Sequence, residues 1–272
     1  MKKIISNIIL IFIILFILII VMLSSTGLET NKFNKLISNK LSETKNINLI
    51  LNTIKFKINP TKFSLFLETQ NPKIAYRDTY IPVQNIKVYV DFFSLLSTDP
   101  KIERINLNLE ELDIAQLNKL SKMIKPSNFK SLLTNKIKKG NLISEIEIFL
   151  SEKGELENFI AKGNIKNLDT ELFSDLSFTN ATLSLFADKN DILIKNILGA
   201  LNEIKISDGD IKINFENGVK IRSNFKSKID LDKELLNNYI KFLNNNKFTK
   251  AIGELNGDFN NTFSINLDKT YK

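Results

Sequence analysis

Two clusters of acidic side chains have the residue types and the spacing that chemistry would need. Glu110, Glu111 and Asp113 form the first cluster, and Asp208 and Asp210 form the second. Either could hold Ca²⁺ or act as an acid pair. A simpler interpretation is that the first caps a helix at a strand-to-helix junction and the second lies in a turn. We therefore expect neither cluster to be a metal or catalytic site.

The composition excludes most other catalytic chemistry. The chain has no Cys and no His, which removes thiol nucleophiles, disulfides, imidazole bases and the usual zinc ligands. None of its 9 glycines belongs to a G-x-G-x-x-G or Walker pattern. The sequence therefore predicts a protein that is not an enzyme, with no catalytic residue, no cofactor and no bound metal.

The net charge of +8 would ordinarily favour nucleic acid or anionic lipid as a partner. The basic residues are nearly all Lys, however, with Arg only at Arg77, Arg104 and Arg222. They are scattered between apolar residues and are not clustered with aromatic side chains. Because base recognition relies heavily on Arg, we expect no nucleic-acid partner.

The most apolar stretch of the chain, residues 4–23, contains no charged side chain. A helix of this length spans about 30 Å, the thickness of a bilayer hydrocarbon core. Lys2 and Lys3 precede it, which favours a cytoplasmic amino terminus. We predict a transmembrane anchor over residues 1–27, with an apolar surface represented by Ile4, Ile8, Ile13, Phe16, Ile20 and Leu23.

A cleaved signal peptide is the alternative to an anchor, because both begin with basic residues and an apolar run. The apolar core is longer than a usual signal core, and no Ala-x-Ala follows it. Beyond the anchor, apolar residues at helical spacing predict an amphipathic juxtamembrane helix over residues 28–46. This helix could lie on lipid headgroups or pack against the first sheet.

From residue 47 the apolar period changes to two, as in Ile54, Phe56 and Ile58, which predicts a β-rich region over residues 47–272. The connections are too short for crossover helices, so neighbouring strands must be antiparallel. Asn217-Gly218 between two such segments predicts a hairpin with a type I′ turn.

Helical spacing returns in two places. Asp113 and Gln116 have the spacing of a capping box, which opens a predicted helical interlude over residues 113–139. Another helix is predicted over residues 231–243. The predicted fold class is therefore mainly β with a few helices: a transmembrane helix followed by an extended, curved antiparallel sheet, groove-like, with short helices as covers.

A long sheet with one apolar face must cover that face, and three modest helices are little cover for a dozen strands. If the sheet curls into a trough, acyl chains could lie along the apolar face while headgroups project into water. A closed two-layer sandwich is the alternative. The candidate lipid-groove residues on the predicted concave face are Phe56, Phe63, Leu65, Val88, Leu107, Ile146, Ile213 and Phe215.

The order of features from residue 1 to about 115 resembles the amino-terminal region of the AsmA-like family, which includes TamB-type and YhdP-type envelope proteins. The most specific part is the run DFFSLL at residues 91–96 followed, after a gap, by IERI at residues 102–105. Members of that family are usually much longer, and no carboxy-terminal family region is recognised before Lys272.

The resemblance implies a single-pass inner-membrane protein with its bulk in the periplasm. Its β-groove would bind phospholipid acyl chains and contribute to lipid transport to the outer membrane, or to assembly of that membrane. Because a dozen strands about 4.8 Å apart extend only about 60 Å, we expect one segment of an assembly, paired through a sheet edge near the carboxy terminus with envelope proteins or with itself. The alternative is a membrane-tethered β scaffold that binds envelope proteins without transferring lipid.

Overall fold

The protein is mostly β, with an antiparallel, curved and unclosed sheet that follows an apolar amino-terminal helix, as the sequence predicts. The computed structural model describes residues 2–30, 34, 47–61, 64–76, 79–91, 94, 101–121, 136–173, 176–216, 218–240 and 253–268.

The described helices are α1 (Lys2–Ser25), α2 (Ile114–Ser121) and α3 (Lys233–Ile240). The described strands are β1 (Leu28–Thr30), β2 (Ile47–Ile50), β3 (Ile54–Asn59), β4 (Ser64–Gln70), β5 (Lys73–Tyr76), β6 (Thr79–Val90), β7 (Ile102–Leu109), β8 (Leu112–Asp113), β9 (Ile137–Leu150), β10 (Leu156–Phe173), β11 (Leu176–Asp188), β12 (Asp191–Leu201), β13 (Ile204–Asn214), β14 (Val219–Leu231) and β15 (Leu255–Leu267).

The chain divides into two compact units. Unit 1 comprises Met1–Glu110 and Glu145–Phe159, and unit 2 comprises Glu111–Ser144 and Ile160–Lys272. In unit 1 the strands follow the order β1-β3-β4-β6-β7-β9, and β5 links β2 to the first half of β6. In unit 2, β10 to β15 form a meander in sequence order.

A patch of ion pairs stabilises the polar face of unit 1. Glu68 is 7% exposed, and its carboxylate lies 2.7 Å from Lys57 Nζ and 3.7 Å from Lys87 Nζ. The strand register brings these residues together. Glu68 on β4 is paired with Lys87 on β6 and with Lys55 on β3, and Lys57 lies two residues after Lys55 on the same face of β3. Two cations compensate one nearly buried carboxylate, which offsets the cost of its desolvation.

Four β-bulges that contain a left-handed residue cross unit 2, one in each of the strands β10 to β13. Each bulge contains an Asn or Asp in the left-handed backbone region: Asn167 (φ 53°), Asn180 (φ 49°), Asn196 (φ 55°) and Asp208 (φ 50°). Asn and Asp tolerate this conformation better than other non-glycine residues. Because a bulge bends its strand and increases its twist, four bulges on neighbouring strands bend the sheet along one line. We call this feature the bulge line.

The residues that follow the four left-handed positions are buried. Leu168, Ala181 and Ile197, together with Leu183, form the buried core of unit 2. At the fourth bulge the corresponding residue is Gly209, where an added Cβ would lie 2.7 Å from Ile197 Cβ. Only a residue without a side chain fits there, so Gly209 allows a close approach of β12 and β13 at the bulge line.

Local capping interactions set the ends of two helices. Asp113 Oδ1 accepts the N–H of Gln116 at 2.7 Å and Gln116 Oε1 accepts the N–H of Asp113 at 2.9 Å, so the predicted capping box opens α2. Asp232 Oδ1 accepts the N–H of Leu235 at 2.9 Å and caps α3. The helix predicted from residue 231 therefore begins two residues later.

The structure corrects two helix predictions. Leu28–Thr30 form strand β1, not the start of a juxtamembrane helix, because they pair with β3; most of residues 31–46 lies outside the described residues. The helical interlude predicted over residues 113–139 is too long at its end, since β9 begins at Ile137, which packs against the core of unit 2. Residues 122–135 lie outside the described residues.

The hairpin predicted at residues 217–218 is present between β13 and β14, although Asn217 itself lies outside the described residues. The last ladder pair before the connection is Asn214–Lys220, so the connection is longer than a two-residue turn. Asn214 Oδ1 accepts the N–H of Glu216 at 3.2 Å, and this local turn ends the strand early.

The bulge line predicts a specific response to substitution. Asn180→Val places a β-branched residue in the left-handed region and should destabilise the protein by about 1–2 kcal/mol. The melting temperature should fall by about 2–8 °C, measured by circular dichroism. Asn180→Gly should restore most of the loss. Thr182→Val, an exposed substitution two residues along β11, is the control and should change little. Equal melting temperatures for the Val and Gly variants at Asn180 would contradict the argument.

Candidate functional site

Four of the five side chains in the two acidic clusters make contacts within the protein. Asp113 caps α2, and Glu111 Oε1 accepts a hydrogen bond from Asn141 Nδ2 at 2.6 Å. Asp208 Oδ2 lies 2.8 Å from Lys226 Nζ, and Asp210 Oδ1 accepts the N–H of Asn196 at 3.4 Å. The second cluster lies within β13 at its bulge, so its prediction as a turn is wrong. Within the described ranges, no group of three or more acidic side chains is placed to hold a metal.

The candidate groove residues of unit 1 share one face of the sheet. Directly paired residues on neighbouring strands lie on the same face, so the strand register alone shows which residues share it. One row contains Leu28, Phe56, Leu67, Val88, Ile105 and Ile148, and the next contains Ile54, Thr69, Ile86, Leu107 and Ile146. Leu65 lies on the same face as Leu67, and Phe63 lies outside the described residues.

The centre of this face is packed. Ile54, Leu67 and Val90 form a buried cluster, and Leu65 is only 6% exposed. Phe56, Val88, Leu107 and Ile146 are half-buried. Leu65 therefore contributes to the core of unit 1 and offers almost no surface to a ligand.

The opposite face of unit 1 carries an aromatic pair that the sequence analysis did not single out. The Phe66 and Tyr89 ring centroids are 5.3 Å apart, and the Arg104 guanidinium lies 4.0 Å from the Tyr89 centroid. Burial raises the pKa of the Tyr89 hydroxyl above its ordinary value, and the Arg104 charge opposes that rise. The two rings are tilted by 35° to each other, and this contact between neighbouring strands stabilises the sheet.

In unit 2 an apolar row crosses five neighbouring strands near two hairpin ends. Register places its members opposite one another from β11 to β15: Ala187, Ile192, Ile213, Ile221 and Ile265. We call this set the open row. The first four residues are half-buried, whereas Ile265 is 42% exposed. Of the two candidate residues predicted in unit 2, Ile213 belongs to the open row and Phe215 follows it with 45% exposure.

The exposure of this face changes along the strands. At the bulge line the residues are buried, and near α3 the side chains of Leu231 and Leu236 are buried as well. At the other end, the open row and its neighbour Phe263, which is 41% exposed, remain accessible among the described residues. The face is thus a packed core at one end and an apolar surface at the other.

Hydrogen bonds hold the turn that ends β11 beside the open row. The Asp188 carboxylate accepts the N–H of Asn190 at 2.7 Å and that of Asp191 at 2.9 Å. These bonds hold the pKa of Asp188 below its ordinary value. The contribution of Asp188 to stability is therefore complete above its unfolded-state pKa and is lost as the pH falls through the lowered folded-state pKa.

Helix α1 presents its apolar side chains outward. Its segment Ile4–Ser25, with 22 residues, is long and apolar enough to cross a membrane. Ile4, Ile8, Ile13 and Phe16 are exposed, and Ile20 is half-buried.

The last predicted anchor residue, Leu23, is 8% exposed, near the point where α1 contacts β3. Gly27 has φ 72°, which lets the chain turn from α1 into β1. The last turn of α1 therefore packs against the sheet of unit 1, and Leu23 presents little surface.

Hydrogen bonds hold the run DFFSLL at its described positions, Asp91 and Ser94. Asp91 Oδ1 accepts the N–H of Ser94 at 2.7 Å, and Ser94 Oγ donates to the Asp91 carbonyl at 2.8 Å. After the gap, Ser94 Oγ accepts the N–H of Lys101 at 2.8 Å. Asp and Ser at this spacing therefore fasten the end of β6 to the start of β7.

No protein-family model matches the chain, and searches of curated proteins and of solved structures find no match either.

Helix α1 leads to a prediction about membrane attachment. If it is a retained anchor, the full chain should stay in the membrane fraction after alkaline carbonate washing. An Ile13→Arg/Ile14→Arg variant should be released more readily, because Arg near the middle of a span costs about 2.5–3.5 kcal/mol. Release of the native chain, shortened at its amino terminus, would instead identify a cleaved signal peptide.

Proposed function

We propose that this chain is an AsmA-like envelope protein that is anchored in the inner membrane and binds phospholipid acyl chains on the apolar face of its sheet. In this role it contributes to lipid transport to the outer membrane or to assembly of that membrane. The observation that carries the proposal is the open row of unit 2, an apolar surface on a bent sheet that ends in exposed Phe and Ile side chains.

The dimensions of the open row suit one acyl chain. Its five residues lie on five neighbouring strands, and four intervals of about 4.8 Å give about 19 Å. Half of a hydrocarbon core of about 30 Å is about 15 Å, the depth of one lipid leaflet. One chain of a phospholipid can therefore lie across the row without leaving the apolar surface.

The energetics of the surface favour an apolar ligand. Each methylene group removed from water contributes about 0.8 kcal/mol, and the contact needs no directional hydrogen bonds. Side chains such as Ile265 and Phe215 would otherwise remain in water. Lys189 and Lys220 are exposed at the hairpin ends beside the row, where a cation can attract an anionic headgroup.

The anchor supports the same proposal. Helix α1 would hold the sheet next to the membrane from which lipid is drawn, and Lys2 and Lys3 favour a cytoplasmic amino terminus with the sheet in the periplasm. The hydrogen bonds of Asp91 and Ser94 give a structural reason for the most specific part of the resemblance to the AsmA-like family.

A membrane-tethered scaffold that binds envelope proteins is the second candidate function. The observation that favours it is β15, a strand of 13 residues that pairs only with β14 among the described strands. A free strand edge is a common binding site for another polypeptide.

Site-specific photocrosslinking distinguishes the two functions. A photoreactive amino acid is placed at Ile265, in the open row, or at Ser264, the next residue on the opposite face. In living cells, lipid binding predicts phospholipid adducts at Ile265 and few at Ser264. Protein adducts at Ile265 without lipid would support the scaffold.

A matched pair of variants tests the same surface by function. Ile265→Asp and Ser264→Asp introduce the same charge one residue apart, on opposite faces of β15. In a vesicle assay with fluorescent phospholipid, Ile265→Asp should lower transfer at least about tenfold, because a carboxylate would replace an apolar contact. Ser264→Asp should leave transfer nearly unchanged. Equal effects of the two variants would show that the open row is not the lipid site.

A further inference from the structure

Strand β15 has the properties of an edge that is built to be paired. Its 13 residues match β14 over 13 consecutive pairs without a register shift, and no other described strand pairs with it. Edge strands usually avoid association through bulges, prolines, lysines or short length. β15 has none of these, and Asp258 is its only charged residue. Its outward N–H and C=O groups therefore form a long, regular template for another strand.

The sequence of β15 reads almost alike in both directions about its central residue, Asn261. Five of the six pairs of positions at equal distances from the centre match as apolar or as polar residues, and the exception is Gly257 with Ile265. From the ends inward the five matched pairs are Leu255 and Leu267, Asn256 and Asn266, Asp258 and Ser264, Phe259 and Phe263, and Asn260 and Thr262.

We propose that two copies of this chain associate through β15, in an antiparallel pair whose two-fold axis passes between the two Asn261 residues. In a two-fold antiparallel pair, each residue faces the position equally far on the other side of the centre. Phe259 of one copy then faces Phe263 of the other, and the ends pair Leu255 with Leu267. Directly opposed aromatic and aliphatic side chains are the favourable cross-strand pairs.

Charge and length select this register over its alternatives. With Asn261 at the centre, each Asp258 faces Ser264 of the other copy. A register centred on Asp258 would instead oppose two carboxylates, which destabilises a strand pair. Any two-fold register centred away from Asn261 also leaves part of both strands unpaired, whereas the central register uses all 13 residues of both strands.

The pairing places equivalent faces on the same side of the joined sheet. Phe259 (37% exposed) and Phe263 (41% exposed) lie on the same face of β15 as Ile265. In the dimer these side chains gain cross-strand neighbours, and the open rows of the two copies lie on one side. The dimer does not depend on lipid binding, because backbone hydrogen bonds and opposed side chains form it.

Cysteine crosslinking tests the register directly, because the native chain contains no Cys. Asn256 and Asn266 are exposed on the polar face of β15 and face each other only between copies. In membranes that contain the full chain, Asn256→Cys alone and Asn266→Cys alone should give little disulfide dimer on oxidation. Co-expression of the two variants should give abundant dimer, and Asn261→Cys alone should crosslink to itself.

The pattern of crosslinks decides the proposal. Equal crosslinking by either single variant and by the mixture would exclude the register centred on Asn261. If no combination gives crosslinks although circular dichroism shows that the variants are folded, self-pairing is excluded. The edge of β15 would then be a binding site for a different protein.

A charge exchange supplies an independent measurement. Phe263→Lys puts a cation opposite Phe259 of the other copy and should raise the dimer dissociation constant at least about tenfold, measured by light scattering of the full chain in detergent. The double variant Phe259→Glu/Phe263→Lys opposes Glu and Lys at both positions and should recover much of the dimer. If the double variant dissociates as readily as Phe263→Lys, the two positions do not face each other and the proposal is wrong.

Discussion

Close approach of strands at the bulge line is the constraint on which the rest of unit 2 depends. Four left-handed Asn and Asp residues insert one extra residue into each of four neighbouring strands. In a regular strand, an apolar residue three positions after another would point to the opposite face of the sheet. Instead Leu168, Ala181 and Ile197 return to the core, and Gly209 lets the backbones meet. The sheet is therefore bent and packed at one end, whereas at the other end Ile265 of the open row is exposed among the described residues.

The two units expose their apolar faces differently. In unit 1 the face centres on the buried cluster of Ile54, Leu67 and Val90, and an ion-paired Glu68 stabilises its polar side. In unit 2 the apolar face runs out to Ile265 on an edge strand. The proposed lipid contact therefore belongs to unit 2, and the proposed dimer surface lies directly beside it on β15. One edge would give the chain both a ligand surface and a partner.

Sequence periodicity predicted the strands well where period two is uninterrupted, and less well where bulges interrupt it. Apolar and polar residues alternate around Phe56 in β3, Val88 in β6 and Leu107 in β7, so the shared face of these three residues was predictable. In β10 to β13 the apolar spacing changes from two to three at each bulge, as from Ile165 to Leu168, so a period of two does not continue through the whole strand. The signal that would have shown them is Asn or Asp directly before the displaced apolar residue.

The sequence by itself determined the apolar helix, the antiparallel β class, the helix caps and the absence of Cys and His chemistry, because each depends on residue type or on local spacing. Only the tertiary structure decided burial. It placed Leu65 in a core and Ile265 in the open, although both are apolar strand residues. It also converted Ile137 from a predicted helix end into a strand that packs on Leu168 and its neighbours. Burial depends on which strands become neighbours, and that pairing joins residues far apart in the chain.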